Sequence, residues 1–119
     1  MLNELFEGKS ENILGFFHPM STIVDPRDVA AIHVAGLLSA DTNGQRLWGS
    51  GAPLHSVNEL YAIWREAYPD RHFPEDIVDG EPPNITIAKE ASTKLLREFE
   101  GRSWLPIKES ILANVAAVA

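Results

Sequence analysis

The chain has 119 residues, 45% hydrophobic and 23% charged, with a formal net charge of −7 and no cysteine. That is enough for one ordinary globular domain, and too apolar for a disordered chain. The acidic balance argues against nucleic acid or an anionic membrane as the main partner, since phosphate is held by Lys and Arg.

Residues 2–7 read as the last turns of a helix, with Leu2, Leu5 and Phe6 on one side and Gly8 as a stop. This acidic start is unlike a secretion signal, no apolar run approaches the roughly 20 residues of a membrane span, and the lack of cysteine fits a cytoplasmic chain. Ile13-Leu14-Gly15-Phe16-Phe17 is apolar and ends at His18-Pro19; it reads as a short strand or a loop lining a pocket.

The stretch Thr22 to Leu38 reads as a short strand turning directly into a helix. Ile23 and Val24 are β-branched and suit extended backbone. Asp25 is placed to cap the helix, Pro26 to fill its first position, and Asp28 to meet the positive end of its dipole. From Val29 to Leu38 the only polar side chain is His33, so this helix needs cover on several sides.

Ser39 to Gly44 is a loop of turn formers, and Gln45 to Trp48 reads as a strand running into the Gly49-Ser50-Gly51 turn. Ser56-Val57-Asn58-Glu59 matches a capping box. Val57, Leu60, Tyr61, Trp64 and Tyr68 then form an amphipathic stripe, which Pro69 ends. Asp70 to Pro83 is a loop whose four acidic residues between Glu75 and Glu81 read as a solvated run. Asn84 to Ile87 is a short strand or extended segment. Lys89 to Phe99 is helical with Leu95, Leu96 and Phe99 inward, and Gly101 closes it. A last helix starts near Pro106 and buries Ile107, Ile111, Leu112, Val115 and Val118. The expected fold class is therefore α/β, with short strands and about four helices.

Candidate chemistry is sparse. The four histidines, His18, His33, His55 and His72, show no metal-ligand spacing, so no metal site is expected. His33, on an apolar helix, reads as a buried histidine bonded to a backbone carbonyl. Asp25, Arg27 and Asp28 offer two carboxylates, but capping plus an Arg–carboxylate anchor accounts for them more simply than acid catalysis. The Gly49-Ser50-Gly51 turn lacks the third glycine of a dinucleotide fingerprint, since Leu54 stands there, and it lacks the Gly-Lys-Ser/Thr of a P-loop. Trp48, at a strand end, is a candidate pocket residue.

The order of these signals resembles one family. Ile23-Val24-Asp25-Pro26-Arg27-Asp28-Val29-Ala30-Ala31-Ile32-His33 resembles the V-D-x-R-D-V-A-x-A-H segment of extended short-chain dehydrogenases/reductases, the NAD-dependent epimerase/dehydratase family. The nearest branch is that of dihydroflavonol reductases, cinnamoyl-CoA reductases and fungal aldehyde/ketone reductases. Gly44 to Trp48 resembles its G-x-R-Y strand, and Ser56 to Pro69 the helix that follows, ending in an aromatic-Pro pair. Ile87-Ala88-Lys89-Glu90-Ala91 resembles an altered N-S-K-A segment. Ser103 to Ile111 resembles x-S-L-E-E-S-I.

The resemblance implies that residues 1–119 form a single C-terminal, substrate-side lobe of an extended Rossmann-type reductase, without the N-terminal dinucleotide-binding part. Full-length members use a Gly-x-x-Gly-x-x-Gly turn for NADP and a Tyr-x-x-x-Lys pair for proton transfer. Here Tyr61 is followed four later by Arg65, and Tyr68 by His72, so no catalytic or cofactor-binding residue carries over. The implied role is a substrate-binding lobe for a small carbonyl compound, with Phe16, Phe17, His18 and Trp48 as pocket candidates, Asp25, Arg27, Asp28 and His33 as the structural motif, and no cofactor bound by this chain alone. The alternative is a non-catalytic interaction module that dimerises, or pairs with a cofactor-binding chain, through the apolar helix 29–38. A third reading is a small isomerase built on His18 and Asp25 or Asp28.

Overall fold

The computed structural model describes residues 2–9, 22–81 and 84–119. Phe16, Phe17 and His18 lie outside them. The described elements are helical: α1 (Leu2–Phe6), α2 (Pro26–Leu38), a 3₁₀ turn (Ala40–Thr42), α3 (Val57–Ala67), α4 (Glu90–Glu100) and α5 (Ile107–Val115). A strand exists only through its ladder partner. Among the described residues the one such pairing is an antiparallel bridge between Ile23 and Ala52. Residues 45–48 and 84–87, expected as extended, make no ladder there.

The chain divides into two compact units. The first holds the described residues of Met1–Ser21, Pro53–Asn84 and Lys108–Ala119. Its core is aromatic. Phe6 meets Trp64 and Tyr68 edge-on at centroid distances of 5.4 and 5.2 Å, and Phe73 lies 6.0 Å from Trp64 in a stacked arrangement. Such pairs add a little beyond the area they bury. Leu54, Val57, Leu60, Ile111 and Val115 complete the core, and the Arg71 guanidinium sits 4.1 Å over the Phe6 ring.

Helix α3 forms where its cap chemistry predicts. Ser56 Oγ accepts the Asn58 N–H at 2.9 Å. Glu59 accepts the N–H of His55 at 3.0 Å, one residue before the usual capping-box partner. The acidic loop is not simply solvated. Asp79 accepts from Ser56 Oγ and from Asn58 Nδ2, Asp76 pairs with Arg65 at 2.7 Å, and the Ile77 N–H donates to Asn58 Oδ1. Helix α3 offers donors along the loop's path, and the carboxylates take them.

The second unit holds Thr22–Ala52 and Ile85–Ile107. Here α2 packs on α4; Asp28, Ile32 and Ala35 are the buried residues of the first helix, and Ser92, Leu95 and Leu96 those of the second. Phe99, expected inward, is 46% exposed; it sits in the final turn, just before Gly101 closes α4 in the left-handed conformation at φ 65°. Helix α5 is shorter than its apolar stripe and ends at Val115. It buries Ile111 and Val115, and Val118 falls in the turn that follows.

Candidate functional site

The entry to α2 is an anchor built from charges. Asp25 Oδ1 accepts the Arg27 N–H at 2.8 Å, as an N-cap does. The Arg27 guanidinium closes on both Asp25 oxygens at 2.9 Å, a bidentate pair. Asp28 is wholly buried and makes a longer-range contact. Its Oδ1 accepts from Arg102, and its Oδ2 accepts the Leu105 N–H at 2.9 Å. A buried carboxylate needs such partners. Arg102 was not singled out in the sequence. The signal for it was an Asp on the same helical stripe as Ile32 and Ala35, where a charge must be answered.

The Gly49-Ser50-Gly51 turn is packed rather than open. Thr22 and Ser50 share a hydroxyl hydrogen bond of 2.9 Å, the Gly51 N–H donates to the Ile23 carbonyl, and the Gly51 carbonyl accepts from Lys89 Nζ at 2.6 Å. A Cβ on Gly51 would stand 2.8 Å from the Ile23 oxygen, so glycine is required for close backbone approach. Both polar groups of Gly51 are taken, and no helix begins until Val57. This turn does not fit a dinucleotide phosphate, which needs free N–H groups at a helix start.

After Gly44 the chain returns alongside α2. Thr42, Gln45, Leu47 and Gly49 line one wall of a groove of about 370 Å³, and Val29, Ile32, His33, Gly36 and Leu37 line the other. Gln45, Leu47 and Gly49 alternate, as an extended segment requires. Arg46 and Trp48 are not among the lining residues, and the Arg46 guanidinium lies 5.9 Å over the Trp48 ring. Trp48 is 46% exposed and does not line this groove, whereas its neighbour Leu47 does.

His33 makes the expected bond, Nδ1 to the Val29 carbonyl at 2.7 Å, but its ring is exposed rather than buried. It faces the groove, whereas the buried stripe runs through Asp28, Ile32 and Ala35. Among the described residues the cover of this helix lies along that stripe, and Val34, Leu37 and Leu38 are 58%, 88% and 69% exposed. Among the described residues no cluster of three or more His, Cys, Asp or Glu could hold a metal ion, and no helix is long and apolar enough to cross a membrane. The groove and the charged anchor can position and bind, but they bring no acid–base pair together.

No protein-family model matches the chain. Curated relatives do. A Candida albicans protein, GRP2, provisionally named an NADPH-dependent methylglyoxal reductase, is 28% identical over 99% of the chain and 33% of its own length. The ketoreductase nvfG of Aspergillus novofumigatus is 28% identical over 97% of the chain and 33% of its length. The ketoreductase adrE of Penicillium rubens is 29% identical over 84% of the chain and 30% of its length. The chain is thus similar along its length to NADPH-dependent and keto-reductases, and it spans about a third of the relatives it matches.

Proposed function

We propose that this chain is the substrate-side, C-terminal portion of an NADP-dependent carbonyl reductase of the extended short-chain type, and that it does not transfer hydride by itself. The observation that carries this reading is the match of nearly the whole chain to about a third of GRP2 and nvfG. The order of segments from Ile23-Val24-Asp25 to Ser103-Trp104-Leu105 supports the same placement. The sequence holds neither a Gly-x-x-Gly-x-x-Gly turn nor a Tyr-x-x-x-Lys pair, and the packed Gly49–Gly51 turn does not fit the cofactor. NADP supplies the hydride in a reductase. This portion supplies walls that shape the carbonyl-substrate pocket, and the Asp25, Arg27, Asp28 and Arg102 anchor holds α2 in place. The purified chain is tested with NADPH and aromatic or aliphatic ketones by absorbance of the cofactor. Oxidation no faster than a blank is expected; steady turnover above the blank overturns the reading.

A second reading is favoured by the exposed Val34, Leu37 and Leu38: a non-catalytic module whose α2 face docks on a chain that carries the cofactor site. That occupant follows from the two thirds of each relative lying outside the match. Static light scattering of an equimolar mixture with the unmatched portion of GRP2 should give a 1:1 complex, lost in Leu37→Glu. Separate species in the mixture, or a dimer of the chain alone, would count against it.

A further inference from the structure

We propose that the groove beside α2 binds small, neutral, hydroxyl-bearing aromatic compounds, with His33 Nε2 accepting the ligand's O–H. This goes beyond the reductase reading and does not depend on it. The tautomer of His33 follows from its partner. The Val29 carbonyl can only accept, so the bond of 2.7 Å places the proton on Nδ1. In the neutral ring Nε2 is then an acceptor, on the edge turned away from the helix backbone.

The rest of the groove sets the ligand's class. No Asp, Glu, Lys or Arg lines it, so it offers nothing to an ionised group. Val29, Ile32, Leu37 and Leu47 provide apolar walls for a flat ring. Gly36 allows close approach of the opposite wall, since a Cβ there would stand 3.0 Å from Leu47 Cδ1. The hydroxyl of Thr42 already donates to the Gly36 and Ser39 carbonyls at 2.8 Å. The Gln45 amide already donates to the Asp41 carbonyl at 2.8 Å. Among the described residues His33 makes no other hydrogen bond, so its Nε2 is open to a ligand donor, and it is the one ring-nitrogen acceptor beside the Thr42 and Gln45 oxygens. A volume of about 370 Å³ lies within the small-molecule range.

The test uses p-cresol and p-xylene, which match closely in shape, a methyl group standing in the second where the first carries its O–H. Both are titrated into the isotope-labelled chain and followed by amide chemical shifts. The expected result is saturable shifts at Gly36, Leu37 and Gly49 with p-cresol, and binding of p-xylene weaker by about fivefold to tenfold, the net worth of one hydrogen bond. In His33→Phe the preference should fall to within about twofold, because the acceptor is gone. The two ligands alone decide the matter in the unaltered chain, so the result stands even if the variant misfolds. Equal binding of both, shifts confined to other residues, or no saturable binding of p-cresol overturns the proposal.

Discussion

Asp28 shows what one residue decides. It sits at the first turn of α2, where a carboxylate suits the helix dipole, but its burial is what gives it leverage. Asp28→Ala leaves Arg102 with only the more exposed Glu100 carboxylate, at 3.7 Å, and the Leu105 N–H without its acceptor. The expected loss is about 2–3 kcal/mol of unfolding free energy, read by urea denaturation, with Asp28→Asn losing less because its amide oxygen still accepts. A loss no larger than that of an exposed acid would contradict the anchor. Tyr61 makes a different case. Its side chain is fully buried, its hydroxyl finds no hydrogen-bond partner among the described residues, and burial pushes the phenol above its ordinary value of 10.0, with the nearby Arg65 cation opposing. The native state therefore holds the phenolic proton more tightly than the unfolded chain. That contribution is complete below the unfolded pKa and is lost as pH rises through the native one. Stability of the parent chain should fall above about pH 10, and Tyr61→Phe should flatten that fall. At neutral pH the same variant should be unchanged or more stable by up to about 1 kcal/mol, since it removes an unsatisfied hydroxyl.

At the scale of elements, legibility followed the range of the interaction. The α2 start at Asp25-Pro26 and the α3 start at Ser56 were readable because a cap is decided within three residues. The amphipathic stripe of α3 was readable because its period lies in the chain itself. The Arg102–Asp28 pair was not, because 74 positions separate the partners: the stripe of α2 shows that Asp28 needs an answering charge, but nothing local points to Arg102. The same holds for Asp79, whose bonds to Ser56 and Asn58 turned an apparently solvated acid into a tie. The groove was half readable: Gly36 inside an apolar helix signals a close neighbour, but only the fold shows that Leu47 is that neighbour. Gly51 tests the turn directly. Gly51→Ala brings a methyl to 2.8 Å from the Ile23 oxygen, and the Ile23–Ala52 bridge must open. A loss of about 1–3 kcal/mol is expected from the urea midpoint, whereas Gly44→Ala, with nothing within 4 Å and a left-handed backbone, should lose only about 1 kcal/mol from strain.

At the scale of the molecule, three observations fit together under the proposed function. The chain is similar along its length to fungal reductases, it covers about a third of them, and α2 leaves Val34, Leu37 and Leu38 uncovered. The order of extended and helical segments led to an α/β expectation, and the described elements are helices with a single β-bridge; the resemblance of segments and the similarity to reductases, not strand content, support the proposed placement. On that account the catalytic tyrosine, its lysine and the glycine-rich turn belong to a longer polypeptide or a companion chain. The most direct measurement is the sequence of the mature transcript upstream of the Met1 codon. The account predicts an in-frame coding segment carrying Gly-x-x-Gly-x-x-Gly followed by Tyr-x-x-x-Lys. A stop codon immediately upstream, with no neighbouring frame encoding those motifs, would contradict it.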